Sequence, residues 1–200
     1  MYPNNPWYHL SWDSENLQAI GQLLSTYVGS RIILGNVLAN ATPLGIPLAA
    51  YTLMKNPWSN AYANAKKVGK LLGEEIEYID TPFILCGHSL GARVIYFALK
   101  HLALNNKTII QDVHLLGGAV SSSPEHWDKV QHSVQGNINN YLSKNDKVLS
   151  MMYKVGTGFT NTPIGVKSID VERVNNVDVS YLVSGHTEYK ENFSKFIVLS

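Results

Sequence analysis

Phe83 to Leu99 reads FILCGHSLGARVIYFAL, a run of strand-forming residues up to Cys86 joined to a helix-forming run that starts near Ala92. The join is Gly87-His88-Ser89-Leu90-Gly91, which matches G-x-S-x-G in the setting where that pattern has physical meaning, after a strand and before a helix. At such a turn the serine takes a strained backbone conformation that lifts its hydroxyl above the sheet. Gly87 and Gly91 are expected because a Cβ at either place would collide with the neighbouring strand and helix, and the backbone amide of Leu90 is expected to face a developing oxyanion. A bare five-residue match also fits a purely structural glycine turn. The strand before it and the stripe Val94, Ile95, Ala98, Leu99, Leu102 after it favour the nucleophile elbow.

The same alternation extends in both directions. Trp7 to Trp12 reads as a short strand running into a helix start at Asp13-Ser14-Glu15, with Leu17, Ile20, Leu24 and Val28 on one stripe. Ala61 to Tyr78 reads as a helix, Thr81-Pro82 breaks the chain, and Phe83 to Cys86 restarts it as a strand. Beyond the elbow the pattern predicts a helix over Ala92 to His101, strands at Val113 to Leu116, Ile138 to Leu142 and Val179 to Val183, and a final helix over Thr187 to Phe196. Short apolar strands alternating with helices predict an α/β fold, a mostly parallel sheet with helices on both faces, in one domain over residues 1–200. In such sheets ligands gather beyond the carboxyl ends of the strands.

Bulk properties narrow the function classes. With 45% hydrophobic and 16% charged residues, the chain can bury a sizeable core. A net charge of +1 and the absence of any Lys/Arg block remove the electrostatic case for nucleic acid. The single cysteine, Cys86, is placed in a buried strand and read as a packing residue. MYPNNPWYHLSWDS lacks a basic region followed by an apolar run, so no secretory signal is read and the expected compartment is the cytoplasm, with export by another route left open. Ile32 to Met54 holds no charged residue and is flanked by Arg31 and Lys55. Asn36, Asn40, Pro43, Gly45 and Pro47 interrupt it, so an insertion over about 29–58 is read as a pair of short apolar helices forming a lid or packing on the core. Membrane-surface or lipid contact and a true span are its alternatives.

A serine hydroxyl needs a base within reach and a carboxylate to orient that base. In the elbow-containing order, Asp or Glu and then His follow the serine. His186, in the loop that leads into the last helix, fits best as the base. His9 precedes the serine, His101 sits within the following helix, and His114 within a strand. His88, whose side chain should diverge from the nucleophile, and His126, in the loop after Gly117-Gly118, are candidate pocket residues, and His132 shares that loop. Asp146, on a polar turn after Ile138 to Leu142, is the favoured acid, ahead of Asp112, Asp128, Asp170 and Asp178, with a plain turn-forming role as its alternative. No H-E-x-x-H spacing, thiolate cluster, dinucleotide fingerprint or phosphate loop is present, so neither metal nor cofactor is expected.

Five separated segments, LCGHSLGARVIYFAL, VHLLGGAVSSSPEHW, YLSKNDKVL, VGTGFTNTPIG and SGHTEY, together resemble the domain-of-unknown-function family 726. The resemblance implies an α/β-hydrolase fold and a lipase-like or esterase-like serine hydrolase acting on an ester or lipid substrate. It carries the nucleophile onto Ser89, the acid onto Asp146 and the base onto His186, and it marks the apolar insertion as a membrane-associated feature. Family members have, upstream of the WDS-like strand, a strand whose glycine-bearing loop supplies a second oxyanion donor. This sequence begins a few residues before that point, so it is read either as a natural short form or a fragment, or as taking the second donor from elsewhere, such as a partner chain or the Trp12-Asp13 loop. A catalytically weak or inactive α/β-hydrolase scaffold that binds a lipid or protein partner through the apolar insertion is the rival expectation, and proteolysis or thioester cleavage by the same three residues is a third.

Overall fold

Short aliphatic runs bounded by polar turns become four strands: β1 (Phe83–His88), β2 (Ile110–Leu116), β3 (Ile138–Leu142) and β4 (Val174–Asp178). The computed structural model describes residues 5–12, 48–79, 81–157 and 161–197, with side chains described outside 48–56 and 155–156. The strands form one sheet in the order β1-β2-β3-β4, and every neighbouring pair is parallel. A parallel pair needs a crossover, and the crossovers hold three of the helices, with one more before β1 and one after β4. In chain order these are α1 (Leu48–Glu77), α2 (Leu90–Leu104), α3 (Pro124–Val130) running into a 3-10 turn at Gln131–Ser133, α4 (Lys147–Thr157) and α5 (Tyr189–Phe196). The chain has an α/β fold.

Strand periodicity divides the core between the two faces. Val113 and Leu115 of β2 pack with Ile95, Leu99 and Leu102 of α2, Ile76 of α1 and Trp127 of α3. Leu116, and Tyr141 of β3, face the other way, onto Tyr189 and Phe196 of α5 together with Val179 and Val183. In a third cluster, Trp58 and Ala61 of α1 pack with Leu90, Ala119, and Val148, Leu149, Met152 and Tyr153 of α4. Against the sheet, α1 and α2 lie side by side. Arg93 donates through Nε to the Tyr62 carbonyl at 3.0 Å and stacks 3.3 Å over the Tyr62 ring, and His101 meets Glu77 at 2.7 Å one end further on.

Several sequence expectations shift. The strand expected at Val179 to Val183 lies one step earlier, at Val174–Asp178. Its Asn-rich VNNVD looks unlike a strand, but the amides pair across the sheet: Asn175 Nδ2 donates to Asn139 Oδ1 at 3.1 Å and Asn140 Nδ2 to Asn176 Oδ1 at 3.0 Å. Val179 and Val183 form a buried turn instead, closed by amides of Leu182 and Val183 on the Val179 carbonyl at 2.9 Å. Helix α4 has no counterpart among the sequence expectations, because Asn145-Asp146 reads as a simple turn; Asp146 Oδ1 accepts the Leu149 amide at 2.9 Å and caps the helix. Trp7 to Trp12 is irregular rather than a strand. Cys86 is exposed, not packed, since β1 lies at the sheet edge among the described strands. The helix stripe from Leu17 to Val28 and most of the apolar insertion fall outside the described residues; the part from Leu48 onward is not a separate short helix but the start of α1, which continues through Pro57. Among the described residues no helix is long and apolar enough to cross a membrane.

The two elbow glycines are not equivalent. A Cβ on Gly87 would sit 2.7 Å from the Gly91 carbonyl carbon and from Ile95 Cδ1, and 2.8 Å from the Ala92 nitrogen. A Cβ on Gly91 would meet nothing within 4 Å, which corrects the expectation that both glycines avoid collisions. Gly87→Ala is therefore expected to lose about 1–3 kcal/mol of stability through overpacking. Gly91→Ala, near the start of α2, is expected to be neutral or to gain up to about 1 kcal/mol from helix propensity. Urea denaturation of the two variants side by side reads the difference; equal losses would contradict it.

Candidate active site

Ser89 sits between β1 and α2 with φ 57° and ψ −116°, a left-handed backbone that a side chain adopts only under constraint, at a cost of about 1–3 kcal/mol. The constraint is visible. Its amide donates to the Leu116 carbonyl at 3.0 Å, and its carbonyl accepts the Ala92 amide at 3.2 Å and the Ala119 amide at 3.0 Å. The amide of Leu90, first residue of α2, has no acceptor within the helix, as at any helix start, so it is available to a developing anion.

His186 lies beyond β4 on the irregular segment that leads into α5. That segment is braced internally by Ser184, whose amide and hydroxyl both donate to the Glu188 carboxylate at 2.8 and 2.9 Å. It is also stitched to the turn after β3. Ser143 Oγ donates to the Val183 carbonyl at 2.6 Å, Asn145 Nδ2 to the Ser180 carbonyl at 2.9 Å, and the Lys144 ammonium meets Asp178 at 2.8 Å. The stitching brings Asp146, fully buried, to His186. His186 Nδ1 lies 2.6 Å from Asp146 Oδ2, and His186 Nε2 lies 2.8 Å from Ser89 Oγ. A carboxylate can only accept, so the imidazole proton belongs on Nδ1, leaving Nε2 as the acceptor for the serine hydroxyl. The N-terminus of α4, beside Asp146, adds a dipole that favours negative charge there.

The structure thus brings Ser89, His186 and Asp146 together, with Leu90 and Gly87 at the elbow. It does not bring His126 to them: His126 is exposed on α3, with its ring against Tyr96. His114 is buried in the sheet against the Tyr141 hydroxyl at 3.1 Å, and His101 pairs with Glu77. Asp112 accepts the Asn137 amide, and Asp128 the Gln131 side chain. Trp12 packs against the cluster that contains Leu90 and Ala119, while Asp13 falls outside the described residues.

His88 diverges from Ser89, as expected, yet it ends on the base. Its Nε2 lies 3.0 Å from the His186 main-chain oxygen, and its ring stands 4.7 Å from the His186 ring and 5.5 Å from Tyr189. Tyr189 is itself buried, its hydroxyl on the Gly165 carbonyl at 3.2 Å, and Gly117, with φ 50°, makes room for its ring: a Cβ there would come within 2.6 Å. Tyr189 and Gly165 close the segments SGHTEY and VGTGFTNTPIG, though nothing in the sequence assigns either of them to the site.

Crowding by surrounding protein, and then the neighbouring His186, push the His88 imidazole well below its ordinary value of 6.5. Although part of the residue is exposed, His88 is neutral at pH 7. A folded-state value below the unfolded one means that unfolding takes up a proton. The associated stability is fully present above about pH 6.5 and declines as pH falls below it. His114 is lowered by burial and contributes with the same sign. The loss of urea resistance between pH 7 and pH 5 is expected to be shallower in His88→Gln than in the wild type, with His114 acting alike in both; parallel profiles would refute this.

A family model described as "Protein of unknown function (DUF726)" matches residues 2–199. An uncharacterized membrane protein of Schizosaccharomyces pombe is 34% identical over 92% of this chain and 26% of its own length. The transmembrane and coiled-coil domain-containing protein STS1 of Oryza sativa subsp. japonica is 33% identical over 91% of this chain and 30% of its own. The probable lipase MIL1 of Saccharomyces cerevisiae is 25% identical over 95% of this chain and 19% of its own. The chain thus spans about a third or less of the length of these curated relatives. No solved structure matches it. The match over nearly the whole chain places it in the DUF726 family.

Proposed function

We propose that the chain is a serine hydrolase that cleaves carboxylic esters, in the manner of a lipase or esterase. The observation that carries this is the hydrogen-bonded relay from Ser89 Oγ to His186 Nε2 at 2.8 Å and from His186 Nδ1 to Asp146 at 2.6 Å, mounted on a serine with left-handed backbone. A relative named as a probable lipase supports it. Ser89 Oγ attacks the acyl carbon while His186 Nε2 takes its proton, and the carbonyl oxygen becomes an oxyanion that the Leu90 amide receives. As the intermediate collapses, His186 returns the proton to the departing alcohol. Water then attacks the acyl-serine by the same route in reverse, releasing the acid and restoring the Ser89 hydroxyl. Asp146 holds the imidazole in the tautomer this sequence requires and stabilises its positive charge. Placement of Trp12 against the Leu90 cluster supports the backbone around Trp12 as the neighbourhood of the second oxyanion donor, a group whose loss typically lowers the rate about 10²–10³-fold.

Two relatives named as membrane or transmembrane proteins, and the uncharged run Ile32 to Met54, support contact with a membrane, which suits a lipid ester as substrate. Flotation with phosphatidylcholine liposomes is expected; a chain left at the bottom of the gradient overturns that part of the reading. For the chemistry, a fluorophosphonate probe is expected to label the wild type and to leave Ser89→Ala unlabelled. Asp146→Asn is expected to lower kcat on a p-nitrophenyl ester by about 10⁴-fold. Labelling that is absent from the wild type or persists without Ser89 would sink the proposal.

A further inference from the structure

His88 occupies an unusual position in the connectivity of the site. Its main chain is the last residue of β1 and is bonded covalently to Ser89, while its side chain reaches the main chain of His186. The register of the sheet explains the reach: His88 pairs with Leu116, on the face that α5 covers, so its ring is directed toward Tyr189 and the segment carrying His186. A carbonyl can only accept, so His88 donates from Nε2. The ties of the His186 segment to the rest of the site otherwise run to the turn after β3, through Ser143, Lys144, Asn145 and Asp146. Among the described residues, no other hydrogen bond joins β1 or the elbow to that segment, apart from the one between His186 Nε2 and Ser89 Oγ.

We propose that His88 is a positioning residue, whose Nε2–H holds the His186 carbonyl and so fixes the distance between the nucleophile and its base at the span of one imidazole. The proposal deepens the serine-hydrolase reading and rests on it. Without this tie the imidazole can tilt about its contact with Asp146, so the Nδ1–H hydrogen bond loses its fixed geometry. The base segment would then be registered to the turn after β3 alone, and Ser89, carried by a different strand, would lose its fixed partner. Ring contact with His186 and Tyr189 is the competing explanation, in which His88 only fills space, and the two can be separated by chemistry.

His88→Phe keeps a ring and removes the donor; His88→Gln removes the ring and keeps a donor at comparable reach. The measurements are the low-field proton resonance of the His186 Nδ1–H to Asp146 hydrogen bond, the rate of fluorophosphonate labelling, and the melting temperature. His88→Phe is expected to broaden or lose the resonance and to label about ten-fold more slowly, the scale of one hydrogen bond. His88→Gln is expected to keep the resonance and to label within about three-fold of the wild type. Should His88→Phe fail to fold, His88→Leu replaces it with the same expectation. Retention of both signals without the donor, or equal losses in the Phe and Gln variants, overturns the proposal. A resonance that depends on the His88 donor in a chain that no probe labels would uphold the positioning role while refuting the hydrolase reading.

Discussion

The site depends on the hydrogen bonds that continue the sheet past the ends of its strands. The Ser89 amide donates to the Leu116 carbonyl at 3.0 Å, the Gly117 amide to Tyr141 at 3.0 Å, and the Val179 amide to Leu142 at 2.9 Å. Each exit from a strand is thereby held level with the end of its neighbour. Parallel strands with evenly spaced bonds put all their carboxyl ends on one side, so the residues just beyond them converge: Ser89 after β1, the glycine pair after β2, Asp146 after β3, and His186 after β4. The sequence separates Ser89 from His186 widely, and the sheet removes that separation.

Convergence alone does not set geometry to tenths of an ångström. Ser89 is fixed by three backbone hydrogen bonds, which offset the cost of its left-handed conformation. Asp146 is fixed from two sides, by the Leu149 amide on one oxygen and His186 on the other, so that a fully buried carboxylate has both oxygens engaged. Burying such a group without partners would cost several kcal/mol, roughly the magnitude seen when one side of a buried charged pair is removed. The stability of the acid turn and the integrity of the site are therefore the same set of contacts.

What the sequence revealed follows from how local each signal is. The elbow was legible because its residues are contiguous and the strand and helix on either side carry ordinary periodicity. β3, at Ile138–Leu142, was legible because turn residues bound it on both sides. Asp146 and His186 were found by their order relative to the strands, even though the strand before His186 was misplaced. β4 hid because its amides satisfy one another only when Asn139 and Asn140 lie alongside, a partnership that no window of sequence contains. Helix α4 had a usable signal, since Val148, Leu149, Met152 and Tyr153 recur at helical spacing behind a capping Asp, but the turn reading of Asn145-Asp146 masked it. The exposure of Cys86 depends on where β1 stands in the sheet, which local composition does not encode.

The misplacement of that last strand has a physical consequence. Had Val179 to Val183 been a strand, His186 would have emerged from a hydrogen-bonded ladder two residues away. It is held instead on irregular backbone by side chains: Ser143 from one turn, Glu188 from the helix start ahead, and His88 from the far strand. Each such bond contributes on the order of 1 kcal/mol, small beside the apolar clusters that fold the domain. Stability and site geometry therefore separate here in a way they do not at Asp146. Loss of one polar brace near His186 leaves the clusters around Trp127, Tyr153 and Tyr189 intact, and changes chiefly where the imidazole points.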